Sequence, residues 1–232
     1  MTEDHPEDAM NKRKIILPLL GGVLILFLIL AFIFAVYEGW IQITSTKRPA
    51  DRYGENIPKV ISEKDTDHDG IDDQTDILQG ALSYIQTRPK YKSRYYASGY
   101  PDDGYGVCTD VVAYGLKAAG FDLQKLVDED IKVDPQAYHV DRADANIDFR
   151  RVRNLSVFFK NHAQALTLDV HDISQWQGGD IVIFENHIGI VSDRRNARGV
   201  PYVIHHNSPF QINYEEDILE KRDDITGHYR ME

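Results

Sequence analysis

Disulfide cross-links are excluded at the outset, because the 232-residue chain has one cysteine, Cys108, and its fold must rest on packing. Positive charge is also scarce. Lys and Arg number 26 against 37 Asp and Glu, giving a net charge of -11 and an isoelectric point of about 5.2. That balance argues against a binder of phosphate backbones, so no nucleic-acid partner is expected. Internal repeats and low-complexity tracts are missing as well. Once an N-terminal anchor is set aside, enough chain remains for one domain with a real core.

The chain does have one long apolar run. Residues 15–37 form a nearly unbroken stretch of roughly 23 apolar residues, long enough to cross a bilayer. It exceeds the apolar region of a signal peptide, and no small-x-small cleavage site follows it cleanly. Lys12, Arg13 and Lys14 precede it, whereas Glu38 and a near-neutral stretch follow. The positive-inside rule therefore predicts a cytoplasmic stub over 1–14 and an extracytoplasmic domain behind a single anchor. Trp40 falls at interfacial depth, and the polar stretch 38–64, with Pro49 and Pro58, reads as a stalk.

Residues 65–76 read Asp-Thr-Asp-His-Asp-Gly-Ile-Asp-Asp-Gln-Thr-Asp, the D-x-D-x-D-G pattern with an acid in last place. Alternating acids aim oxygens at one point and Gly70 permits a sharp turn, so Asp65, Asp67, Asp69, the Ile71 carbonyl, Asp73 and Asp76 are the predicted ligands of a calcium ion. Asp76 stands where an EF-hand has glutamate, which resembles the loops of dockerin-like repeats. The alternative is an acidic solvated turn capping the next helix. No organic cofactor is expected.

Ile77, Leu78, Ala81, Leu82 and Ile85 repeat at helical spacing, predicting a helix that ends before Pro89. Tyr91, Tyr95, Tyr96, Tyr100 and Tyr105 crowd the approach to Cys108, as cleft lining or as packing. Cys108 itself follows Gly104 and Gly106 and opens an apolar helix that Gly120 ends. Unpaired N–H groups and the dipole at a helix start favour a thiolate, so a lowered thiol pKa is expected. Two more amphipathic helices carry Leu123, Leu126, Val127 and Ile131, then Val152, Leu155, Phe158 and Phe159. Arg150, Arg151 and Arg153 lie between them, either to receive substrate carboxylates or to pair internally.

The second half changes to strand periodicity over 181–184, 187–191 and 202–205. His187 opens one strand and His205 ends the next, so a cysteine, a base and an orienter follow in the order of papain-like hydrolases. Alternation puts His205 and Asn207 on one face and His206 on the other, and the third residue stays open among the three.

Gly106-Val107-Cys108-Thr109-Asp110, Asn146 to Val152, Gly179-Asp180-Ile181-Val182, His187 to Val191 and Thr226 to Arg230 together resemble the bacterial family catalogued as domain of unknown function 1287. More distantly, the cysteine at a helix start, His-Ile-Gly-Ile-Val and Val-Ile-His-His-Asn-Ser resemble the NlpC-type cell-wall peptidases. That resemblance implies an α+β papain-like fold over 77–232, helices packed on an antiparallel sheet. It implies Cys108 as nucleophile, His187 as base and His205 as third residue. The implied activity is amide hydrolysis in peptidoglycan stem peptides, with Thr109-Asp110 replacing that group's serine-glycine pair. A non-catalytic wall-binding domain or a calcium-dependent interaction module is the alternative.

Overall fold

The structure, a computed structural model, describes residues 6–231, with side chains from residue 19 onward. It divides after Ile43 into two compact units. The first is built on helix α1 (Pro6–Tyr37), whose Leu19–Tyr37 segment has a mean hydropathy of 3.1. Nearly all its described apolar side chains are exposed, Val36 being buried. Such a helix is long and apolar enough to be a membrane span or a signal sequence. Part of the expected stub, residues 1–5, lies outside the described residues, and α1 already covers 6–14. Trp40 sits edge-on to Phe34 at 5.5 Å.

The second unit, from Thr44 onward, mixes helices with an antiparallel sheet. Helix α2 (Asp73–Gln86) is capped by Asp72, whose carboxylate accepts the Thr75 N–H at 3.2 Å. Ile77, Ala81 and Ile85 face inward from it. It crosses α3 (Cys108–Ala118) at small residues, since a Cβ on Gly80 would meet Ala118 Cβ and lie 2.9 Å from the Gly115 carbonyl. Helix α3 ends where Gly120 turns to φ +82. Helices α4 (Leu123–Val133) and α5 (Val152–His162) bury Leu123, Val127 and Ile131, and Leu155, Phe158 and Phe159. Burying each such side chain stabilises by about 1.5–3 kcal/mol.

A small parallel pair, β1 (Lys90–Tyr91) and β2 (Tyr105–Gly106), leads into α3. The main sheet comprises β3 (Gln164–Ala165), β4 (Ile181–Phe184), β5 (His187–Arg195), β6 (Pro201–Ile204), β7 (Glu215–Glu216) and β8 (Ile225–Arg230), in the order β3-β8-β4-β5-β6-β7. Strand alternation sorts its side chains. Ile181, Ile183, Ile188, Ile190 and Ile204 join the helical core, while Val182, Phe184, Val191 and Val203 pack with Trp176, Val200 and Leu219 on the other face.

Asp180 ties distant segments together. Its carboxylate accepts from Gln177 N (2.7 Å), Gln74 Nε2 (2.8 Å), Arg230 Nε (2.7 Å) and Arg230 Nη2 (2.8 Å), with His228 Nε2 at 3.0 Å. His228 also stacks on Trp176 at 3.7 Å.

The stalk expected over 38–64 is corrected from Thr44 onward. Those residues belong to the second unit. The Ser45 N–H donates to the Ile212 carbonyl at 2.7 Å, Arg48 Nε to Glu215 at 2.9 Å, and the Val60 N–H to Gln177 Oε1 at 3.3 Å. A polar composition reads as linker, yet its donors are used to bind the domain edge.

Candidate active site

Cys108 is the first residue of α3 and keeps partial exposure. The backbone N–H groups of Ile188 and Thr109 lie near its sulfur and favour a thiolate. Burial outweighs them and, with the nearby Asp110 charge, pushes the thiol up to about 11. The lowered pKa expected from the helix start is therefore overturned: desolvation is the larger effect here.

Asp110 is fully buried and pairs with Arg150, Nε to Oδ1 at 2.7 Å and Nη2 to Oδ2 at 2.9 Å. Asp110 Oδ2 also accepts the Val107 N–H at 2.8 Å. Arg150 spends its remaining nitrogen on the Arg94 carbonyl at 2.6 Å. Internal pairing, rather than substrate binding, is the role of this arginine.

His187 and His205 meet: His187 Nε2 lies 2.9 Å from His205 Nδ1. The register explains it. Ile190 pairs with Ile204, so His205 lies beyond that pair, opposite Gly189. A Cβ on Gly189 would fall 3.2 Å from His205 Cβ, and its absence lets the ring lean toward His187. Of the three residues left open by sequence, His205 is the partner. His206 turns to the other face, edge-on to Tyr91 at 5.2 Å and Tyr214 at 5.1 Å, with its Nδ1 buried and unbonded. Asn207 is exposed.

A fourth residue completes the chain. Glu216 Oε2 lies 3.3 Å from His205 Nε2. Burial raises the Glu216 pKa, but the hydrogen bond and charge of His205 hold it below the ordinary range. Gln211 Nε2 lies 3.4 Å from the same nitrogen but donates to the carbonyls of Asn213 and His205, so the carboxylate favours the proton of His205 on Nε2, leaving Nδ1 as an acceptor. His187 must then donate from Nε2, which leaves its Nδ1 with a free lone pair. Burial, followed by the proximity of His205, holds His187 at about 3, so its ring is neutral near pH 7. Sequence reading missed Glu216 because its position depends on the β6–β7 register, in which Ile204 pairs with Glu215.

Among the described residues no hydrogen bond joins the Cys108 sulfur to either imidazole; Ile188, which meets it, directly follows His187. Tyr91, which meets His206, has its hydroxyl pKa raised by burial and by Cys108. Of the other tyrosines, Tyr96 bonds Asp103 at 2.8 Å, Tyr100 bonds Asp122 at 3.1 Å, and Tyr95 is exposed.

In the acidic loop, carboxylate oxygens of Asp65, Asp67 and Asp69 lie within 4.8 Å of one another. Asp73 is removed from the predicted ligand set. It is buried and accepts both the Thr66 N–H and hydroxyl at 2.7 Å, holding the start of α2 instead. Burial and the neighbouring acids, Asp69 first, push the Asp76 carboxyl up to about 6.

Fold and site together define an α+β protein with a largely buried cysteine opening a helix beside a linked pair of buried histidines. The chain matches the family described as domain of unknown function (DUF1287) over residues 78–231 and belongs to it. It is 38% identical over 167 residues to the uncharacterised protein YijF of Escherichia coli (strain K12), covering 66% of this chain and 80% of that protein. No solved structure matches the chain. Cys108, His187, His205 and Glu216 fall inside the family match, whereas the acidic loop precedes it.

Proposed function

We propose that this protein is a membrane-anchored, extracytoplasmic cysteine hydrolase of papain-like, NlpC-type fold that cleaves amide bonds in peptidoglycan stem peptides. The observation that carries the reading is the hydrogen-bonded sequence from Glu216 through His205 to His187, which leaves one basic nitrogen, His187 Nδ1, unspent. With a thiol near 11 and a neutral imidazole, the chemistry is general-base attack rather than a resting ion pair. The Cys108 sulfur forms a bond to the amide carbonyl carbon as its proton passes to Nδ1. The backbone N–H of Cys108, at the start of α3, helps to stabilise the oxyanion. The leaving amine takes the proton from His187 as the C–N bond breaks, and water then hydrolyses the thioester. Catalytic contacts of this kind tighten when substrate binds, which accommodates a sulfur that bonds neither imidazole in the free protein. Lys12, Arg13 and Lys14 before the apolar run support an outward-facing domain.

Full-length protein in detergent micelles is incubated with purified peptidoglycan and the products are read by mass spectrometry. New amine termini are expected from the native protein and none from Cys108→Ser or His187→Ala. Equal release by Cys108→Ser would sink the hydrolase reading.

The burial that holds the thiol protonated favours a second reading, a wall-binding domain with a packed cysteine. Sedimentation with peptidoglycan that is unchanged in Cys108→Ser, with no fragments released, supports it.

A further inference from the structure

The loop before α2 carries three acids whose oxygens converge, yet convergence alone does not make a site. A second observation comes from the helix. Asp76 is 6% exposed, and its Oδ2 has no hydrogen-bond partner. It stands in the first turn of α2, directly after the loop and outside the converging triad, and the nearby charges of Asp69, Asp67, Asp72 and Asp65 bear on it. Buried carboxylate oxygens are ordinarily bonded, and an unbonded one beside like charges calls for a cation. Among the described residues no lysine or arginine forms an ion pair with these four acids.

The loop is already shaped for this. Gly70 adopts φ +94, and the N–H groups of Asp69 and Gly70 hold the Asp65 carboxylate at 3.1 and 2.9 Å. Asp67 lies against the end of α3, where a Cβ on Gly120 would come within 3.0 Å of Asp67 Cβ. The start of α2 is fixed separately, through Gln74 to Asp180.

We propose that Asp65, Asp67, Asp69 and Asp76 bind one calcium ion, which clamps the start of α2 to the end of α3. Four carboxylates form an all-oxygen set, and the Ile71 carbonyl is placed by the loop pattern to add a fifth oxygen. Calcium accepts such irregular, oxygen-rich sets, whereas magnesium demands near-octahedral geometry and keeps its water. The site stands independently of the hydrolase reading, because its residues precede the family match.

Full-length protein in micelles is stripped with chelator and titrated with calcium chloride or magnesium chloride while thermal unfolding is followed. Saturating calcium is expected to raise Tm by about 5–11 °C at roughly 100 times Kd. Isothermal titration is expected to give one site per chain. Asp67→Asn, at an exposed position, is expected to fold and lose the calcium shift, and Asp76→Asn to lose it likewise. Absence of a calcium effect on the native protein, the same shift in Asp67→Asn, or an equal response to magnesium would each overturn the assignment.

Discussion

On the proposed reading, a proton held between Glu216 and His205 decides which nitrogen of His187 is left as the acceptor. Replacing Glu216 by Gln removes the charge that fixes the tautomer, and an amide-bond activity dependent on His187 is expected to fall at least about tenfold in kcat. Measured rates of fragment release on the native and Glu216→Gln proteins check this. The thiol makes a separate expectation. With a value near 11, alkylation of Cys108 by iodoacetamide should climb about tenfold per pH unit from 7 to 10. A plateau below pH 8 would show a preformed thiolate. The buried histidines bear on acid stability as well. His187 and His206 are held near 3, against 6.5 in the unfolded chain, by burial first and by His205 second. The unfolded chain therefore binds protons first as pH falls through 6.5, and stability present above that value is lost progressively toward 3. Tm is expected to drop from pH 6.5 to 4.5, and to drop less in His206→Phe, whose ring suits the aromatic slot between Tyr91 and Tyr214.

Elements bring the site together through close approaches and one buried ion pair. Arg150 and Asp110 are 40 positions apart, and removing one partner strands a charge in the interior. Arg150→Leu is expected to cost about 3–5 kcal/mol in urea unfolding, and pairing it with Asp110→Leu should recover most of that loss. Helical faces were legible in sequence, because Leu123, Val127 and Ile131 recur at the helical period and each proved buried. Strand parity was legible too, and it separated His205 from His206. The pairing of Ile190 with Ile204 was not, since register depends on neighbours across the sheet rather than along the chain. Glu216 and the strand nature of Ile225–Arg230 were hidden for that reason, while internal pairing of Arg150 was foreseen without its partner Asp110. The thiol pKa was misjudged because a helix start can be recognised in sequence, whereas the packing that desolvates the sulfur cannot.

At the scale of the whole molecule, the second unit carries all the contacts that hold its sheet, and it begins at Thr44. A chain of residues 44–232 is expected to unfold cooperatively without detergent, checked by circular dichroism against urea. Starting instead at residue 65 removes Arg48 from Glu215 and Val60 from Gln177, and should lower the midpoint.

The sheet order also sets a sequence of events during synthesis. Strand β8 lies between β3 and β4, although it is downstream of every other strand. Until it emerges, β4 presents a bare edge and Asp180 lacks both His228 and Arg230. A nascent chain halted before residue 225 is therefore left with an open strand and an uncompensated interior carboxylate, a state that holdase chaperones and quality-control proteases recognise by its exposed backbone.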